Sequence, residues 1–236
     1  MKITSHNIIK IAKQQGNKKR ALGAGRYFKT GPGEYGEGDI FCGLTVPQCR
    51  MIAKKFSELP LSEIQKLLRS EIHEVRLIAL LILVGQYAAG SNKKELVSFY
   101  LKNTRYINNW DLVDVSAHKI LGDWFLDKRT AILGRLAASK NIWERRIAVL
   151  ACFPRIAHND FRLALALAEK LLADKHDLMH KAVGWMLREL GKKSIADLRR
   201  FLDAYASTMP RTMLRYAIEK LPPTERKKYL AVRTLV

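Results

Sequence analysis

The amino-acid sequence predicts an all-α protein, a HEAT-like helical repeat solenoid that forms a single domain over residues 1–236. Apolar residues recur at steps of three and four along nearly the whole chain, and alternating strand patterns are lacking. Similar segments also return at intervals of 32 to 38 residues, the period of two-helix repeats. Lys and Arg number 42 against 22 Asp and Glu, a net charge of +20. We therefore expect stacked helix pairs with a basic concave face.

The ends of the helices are predicted from capping residues, glycine and proline. Thr4 or Ser5 caps the first helix and Gly16 ends it, while Pro47 suits the first turn of the third. The helices expected in the first half span residues 4–13, 17–29, 47–56, 61–69, 71–87, 93–102 and 110–126. Those expected in the second half span residues 128–137, 142–152, 161–172, 177–190, 194–206, 211–220 and 224–230. A loop over residues 30–42 separates the second helix from the third.

Four of these helices have similar first turns. The segment 72–77 reads IHEVRL and the segment 142–147 reads IWERRI, so both follow the pattern Ile-x-Glu-x-Arg. The segments that start at Trp110 and Leu178 share the apolar pattern, which gives steps of 38, 32 and 36 residues. Chance similarity among amphipathic helices is the alternative, but the shared Glu and Arg favour repeats.

The charge and composition limit the classes of function. A net charge of +20 indicates a polyanionic partner, with nucleic acid ahead of an anionic membrane surface. Three cysteines without a Cys-x-x-Cys pair fit neither a disulfide framework nor a zinc ribbon. The N-terminus has no apolar export signal and the longest apolar run, 77–84, is too short to span a bilayer. We expect a cytoplasmic monomer that has no membrane partner.

Two motifs imitate well-known sites but lack their context. The stretch GPGEYG at 31–36 has the letters of a dinucleotide fingerprint, yet no strand precedes it and its glutamates would repel a pyrophosphate. His176 and His180 have the spacing of a zinc pair, but no third ligand is evident. We expect no metal and no cofactor.

Trp110 and Asp114 form the most informative pair. In a helix they lie one turn apart on the same face, so an aromatic ring and a carboxylate can hold one cation together. The alternative is that Trp110 belongs to the core and Asp114 pairs with a basic side chain. If the repeats stack regularly, Trp185 faces the same cleft as Trp110, and Arg146 lies beside Asp114.

Several motifs together resemble the AlkD-type DNA glycosylases. These are NWDLVD at 109–114, LGD at 121–123, NIWERR at 141–146 and KAVGWMLRE at 181–189, with RYFK at 26–29 and FCGL at 41–44 before them. The similarity extends over residues 26–189 in the same order and with the same spacing. The family is an array of HEAT-like repeats, which agrees with the repeat pattern.

The resemblance implies release of N3- and N7-alkylpurines from double-stranded DNA by a monofunctional glycosylase. It assigns Asp114 as the catalytic carboxylate, which stabilises the charged sugar and positions water. It assigns Trp110 and Trp185 to the sugar of the lesion and Arg146 to the DNA backbone. The further DNA-binding residues expected are Tyr27, Lys29, Arg145 and Lys181. Some relatives have a second tryptophan where this chain has Asn109, which leaves the catalytic set intact.

Two other functions fit the same sequence. A non-catalytic HEAT-repeat protein that binds DNA or RNA needs the same positive charge but no carboxylate chemistry. A protein-binding solenoid is the other, because helical repeats are often scaffolds and the fold does not fix the function. Base release from alkylated DNA separates the enzyme from both.

Overall fold

A computed structural model describes residues 4–90 and 92–232 of the chain and confirms the all-α prediction. Within these residues the extended structure consists of one isolated bridge, between Ile40 and Ile72. The chain divides into two compact units, Met1–Ile120 and Leu121–Val236. The single-domain prediction and the HEAT-like order of the repeats stay predictions.

Among the described residues, the first unit contains seven α-helices. They are α1 (Ser5–Gln15), α2 (Lys18–Tyr27), α3 (Val46–Lys55), α4 (Leu61–Leu68), α5 (His73–Ala88), α6 (Lys93–Lys102) and α7 (Trp110–Ala117). A 3-10 turn over Thr104–Tyr106 precedes α7, and a π-helical turn over His118–Gly122 follows it. The predicted limits of α6 are confirmed, whereas the helix predicted over 110–126 changes to π-helical geometry after Ala117 and ends with two further α-helical residues, 123–124.

The second unit, as far as it is described, contains eight α-helices. They are α8 (Ala131–Leu136), α9 (Ile142–Leu150), α10 (Phe153–Ala157), α11 (Arg162–Lys170), α12 (Asp177–Lys193), α13 (Ile195–Tyr205), α14 (Arg211–Ala217) and α15 (Pro223–Ala231). The sequence does not predict α10, because Pro154 suggests a break between helices. In the structure Pro154 lies in the first turn of α10, where a missing N–H costs no hydrogen bond.

Each unit is built around one long helix. In the first unit α5 packs against α3, α4 and α7, and most of its side chains are buried. In the second unit α12 packs against α9, α13 and α14. Helices that are apolar on most sides gain stability by burial, which explains the central position of α5. Both helices therefore hold their neighbours, α7 and α9 respectively, in fixed positions.

Candidate functional site

The first turn of α7 carries the Trp110–Asp114 pair. Asn109 is fully buried, and its side-chain oxygen accepts the backbone N–H of Trp110 at 2.8 Å. This contact caps the start of the helix and fixes the chain direction there. Trp110 and Asp114 are both half-buried and lie one helical turn apart. The structure thus leaves part of both side chains at the surface of the first unit.

The indole of Trp110 rests on other aromatic rings. Its ring is stacked on Phe28, with centroids 5.3 Å apart and an interplanar angle of 18°. Tyr27 meets the indole edge-on at 6.0 Å. Phe28 is in turn stacked on Phe41 at 5.1 Å. We call Tyr27, Phe28 and Phe41 the aromatic platform.

Basic side chains border the aromatic platform along α2. This helix has no buried residue, and its Tyr27 is 67% exposed. Lys29 follows with a left-handed backbone (φ 53°) and an exposed side chain. The exposed bases of α2 itself are Lys18, Lys19, Arg20 and Arg26. Such a mixture of rings and cations is suited to a nucleic-acid backbone.

The loop that carries Phe41 is anchored to the first turn of α5. The carboxylate of Glu74 accepts the backbone N–H groups of Cys42 (3.0 Å), Gly43 (2.7 Å) and Leu44 (3.2 Å). A second anchor is the bridge between Ile40 and Ile72. In it Ile40 donates to the carbonyl of Glu71, just before α5, and accepts from the N–H of His73, the first residue of α5. The loop is therefore fixed although it lacks regular structure.

His73 lies at the centre of a buried polar network. Its Nδ1 faces Asp39 at 3.0 Å and its Nε2 faces Asp111 at 2.8 Å. Asp39 also accepts hydrogen bonds from Arg76 (2.6 Å) and Asn108 (3.1 Å). We call His73, Asp39 and Asp111 the histidine–aspartate triad.

The environment of the triad favours its charged form. Burial alone lowers the pKa of His73, but the hydrogen bonds to Asp111 and Asp39 outweigh burial and raise it. Burial raises the pKa of Asp39, but the hydrogen bond from His73 and the charge of Arg76 lower it overall. Both shifts stabilise an imidazolium beside carboxylates.

His118 lies one turn beyond Asp114, at the start of the π-helical turn. Burial lowers the pKa of His118, and the neighbouring charge of Lys119 lowers it further. The ring also interacts with the backbone of Asp114. His118 is therefore a neutral imidazole at pH 7, placed close to the carboxylate-bearing helix. π-helical turns occur often at functional sites.

In the second unit, Trp185 is held by two side chains. Phe153 packs against the indole with ring centroids 4.8 Å apart. The indole N–H donates to Glu189 Oε1 at 3.2 Å. Glu189 also pairs with Lys192 at 2.7 Å. Trp185 is half-buried, so part of its ring is at the surface of this unit.

The three predicted basic residues of this unit already have protein partners. Arg145 forms a two-pronged ion pair with Asp174, at 2.6 and 3.3 Å. Arg146 is only 5% exposed, and its Nη1 donates to the carbonyl of Leu178 at 2.9 Å. Lys181 pairs with Asp177 at 2.7 Å. Arg146 is thus less accessible to a DNA phosphate than an exposed arginine.

The remaining sequence motifs have structural explanations. The imidazole of His176 caps α12 by accepting the N–H of Leu178 at 3.2 Å, and His180 hydrogen-bonds to the carbonyl of Asp174. Within residues 4–90 and 92–232, no cluster of three or more His, Cys, Asp or Glu has the geometry to hold a metal ion. None of the helices in these ranges is long and apolar enough to cross a bilayer.

Sequence reasoning misses the histidine–aspartate triad, Phe28, Phe41 and Glu189 as parts of these sites. The triad joins residues from a loop and two helices that are 34 and 38 positions apart in the chain. The sequence signal that could have indicated the triad is the polar pair His73-Glu74 at the start of a mostly apolar helix.

Comparison with known proteins gives two matches, one to a family and one to a solved structure. The model of a family described as "DNA alkylation repair enzyme" matches residues 9–221. A solved structure entitled "Predicted DNA alkylation repair enzyme from Enterococcus faecalis" superimposes with a TM-score of 0.70 at 20% identity, over 89% of this chain and 98% of that one. At this identity the likeness shows a shared fold. None of the curated proteins matches the chain.

Proposed function

Since the chain belongs to the DNA alkylation repair enzyme family, we propose that it is a DNA glycosylase that releases cationic N3- and N7-alkylpurines from double-stranded DNA. The observation that carries this proposal is the partly exposed indole of Trp110, stacked on the aromatic platform one turn from Asp114. An aromatic face and a carboxylate together suit a sugar that develops positive charge.

The chemistry needs little acid catalysis. An alkylpurine with a positive charge takes the electron pair of the glycosidic bond and leaves as a neutral base. The charge then grows on the deoxyribose, as in the oxocarbenium-like transition states of sugar hydrolases. Water forms the new bond to C1′ and gives up a proton.

In this proposal Asp114 stabilises the charged sugar and orients the attacking water. Trp110 covers one face of the sugar, and Tyr27 at its edge extends the contact. His118, neutral at pH 7, supplies a second proton acceptor near the same helix. No metal or cofactor takes part in any of these steps.

The second unit contributes to DNA binding in this proposal. The family resemblance assigns Trp185, oriented by Glu189 and Phe153 within this unit, to the sugar of the lesion. The family resemblance assigns Arg146 to the DNA backbone. Arg145 and Lys181 reach a phosphate only by giving up Asp174 and Asp177. We therefore expect the exposed bases of α2 to supply more of the affinity than these two.

The test is base release. The purified protein is incubated with methylated duplex DNA, and free 7-methylguanine and 3-methyladenine are measured by chromatography against a protein-free sample. We expect release well above spontaneous depurination. Salt-sensitive binding to the duplex without any release would instead assign a non-catalytic DNA-binding protein. Binding to neither DNA nor RNA would leave a protein-binding scaffold.

A further inference from the structure

The geometry of His73 defines its protonation. The side chain is 1% exposed, and each ring nitrogen has a carboxylate oxygen within 3.0 Å. Ionised carboxylates only accept hydrogen bonds, so both ring nitrogens must carry a proton to satisfy them. A doubly protonated ring also compensates the buried charge of Asp39 and the half-buried charge of Asp111, and Asp39 receives further compensation from Arg76. The charged groups facing His73 are thus Asp39 from the loop, Asp111 from α7 and Arg76 from α5.

The two carboxylates connect this cation to both sides of Trp110. Asp111 follows Trp110 directly in α7. One of its carboxylate oxygens accepts a hydrogen bond from His73 and the other accepts one from the N–H of Leu112. Asp39 accepts a longer hydrogen bond, 3.4 Å, from Asn109, the residue that caps Trp110. The backbone before and after Trp110 is therefore tied to one imidazolium.

The ring of His73 also supports the indole through a stack. Its centroid lies 4.6 Å from Phe41 and 4.9 Å from Phe28. Phe28 is the ring on which Trp110 is stacked. A cation in contact with aromatic faces is favourable when water is excluded. His73 thus holds Trp110 through hydrogen bonds along the backbone and through rings beneath the indole.

We propose that His73 is a positioning residue that fixes the orientation of Trp110 for its contact with the lesion sugar, by means of its hydrogen bonds to Asp111 and Asp39 and its ring contacts with Phe28 and Phe41. This role rests on the proposed glycosylase function, because it is the sugar contact that demands a fixed indole. His73 itself touches no DNA, since it is buried beneath the aromatic platform. Small errors in position near reacting atoms reduce rates steeply, so the effect reaches catalysis.

The first test uses Asp111→Asn. Asparagine keeps the size of the side chain but has one oxygen where Asp111 uses two, so either His73 or Leu112 N–H loses its acceptor. The control is Asp127→Asn, which changes an exposed aspartate of the second unit. Both proteins are labelled with 5-fluorotryptophan, and the Trp110 resonance is assigned by its loss in Trp110→Phe. Single-turnover base release and duplex binding are measured in parallel.

We expect Asp111→Asn to shift or broaden the fluorine resonance of Trp110, while those of Trp124, Trp143 and Trp185 stay in place. The single-turnover rate should fall at least about tenfold with little change in duplex binding. Asp127→Asn should match the wild type in every readout. A folded Asp111→Asn protein with an unmoved Trp110 resonance would overturn the proposal.

The second test needs no substitution. In the wild type, the side-chain ¹⁵N resonances of His73 and the fluorine resonance of Trp110 are followed as the pH rises above neutrality. We expect His73 to lose its proton and Trp110 to change in one common transition. A fluorine resonance of Trp110 that does not change while His73 titrates would contradict the positioning role. If the wild type releases no base, the proposed function fails, but the resonances of Trp110 still decide the role of His73.

Discussion

Glu74 anchors the loop that carries Phe41 of the aromatic platform, and replacing Glu74 by Gln tests that role most sharply. Glu74 is 4% exposed and accepts three backbone N–H groups with its two oxygens. In Glu74→Gln one oxygen remains and can keep the bonds to Gly43 and Leu44. The new amide NH₂ replaces the oxygen that accepts from Cys42, and two donors then face each other.

The magnitude follows from these three contacts. A hydrogen bond to a charged acceptor contributes about 1.5–3 kcal/mol, against about 0.5–1.5 kcal/mol for a neutral pair. The bonds to Gly43 and Leu44 each lose roughly 1 kcal/mol of charge assistance, and the lost bond from Cys42 to the carboxylate costs about 2 kcal/mol more. We expect the free energy of unfolding of the first unit to fall by about 4 kcal/mol.

The assay combines urea unfolding, followed by circular dichroism, with amide hydrogen exchange. Exchange at Cys42, Gly43 and Leu44 should accelerate more than exchange in α5, because the loop loses its anchor before the helix loses its packing. Glu58→Gln, at an exposed position, is the matched control. A Glu74→Gln protein as stable as this control, with unchanged exchange at the three amides, would refute the anchoring role.

Three further predictions concern pH, packing and charge. Folding raises the pKa of His73, so its contribution to stability is complete below its unfolded pKa of about 6.5. That contribution is lost as the pH rises through the higher folded pKa. A free energy of unfolding in urea that stays constant over this pH range would contradict the prediction. Gly43→Ala should destabilise the first unit by at least about 1–2 kcal/mol, since Gly43 has φ 82° and a Cβ there would lie 2.1 Å from the Asn17 carbonyl oxygen; wild-type stability on thermal unfolding would refute this. Lys29→Gln should reduce the slope of log affinity against log salt for duplex DNA by about one if Lys29 contacts a phosphate; an unchanged slope in a titration series would exclude that contact.

The sequence predicts the helices well where local chemistry sets their ends. Lys93 follows a Gly-Ser-Asn break and begins α6 as predicted, and Asp177 begins α12 after a capping histidine. These signals lie within a few residues of the helix they define. A capping side chain acts on its own first turn, so no knowledge of the tertiary structure is needed.

The change from α-helical to π-helical geometry after Ala117 is not set by local capping chemistry. The apolar pattern continues to Leu126, so the period alone predicts one long helix. In the structure Gly122 lies so close to Pro154 that a Cβ at this position would be 2.8 Å from the proline ring. This packing partner is 32 positions away in the chain, and the helical period carries no information about it.

The candidate site divides in the same way. The helical period puts Trp110 and Asp114 on one face, and the family resemblance assigns both residues to the site. The histidine–aspartate triad is not predictable, because its members come from separate segments and their charges are interpretable only once burial is known. Arg146 is the opposite case. The sequence predicts that it contacts a phosphate, but its burial and its hydrogen bond to Leu178 depend on the folded chain and cannot be predicted from the sequence.

The most direct test of the proposed function is base release by Asp114→Asn. Single-turnover release of 7-methylguanine and 3-methyladenine from methylated duplex DNA is compared with the wild type, together with the dissociation constant for undamaged duplex. The loss of one preorganised charge at the reacting centre should slow release by about 10²–10³-fold and leave binding nearly unchanged. Release at the wild-type rate by a folded Asp114→Asn protein would contradict the role of Asp114 at the sugar.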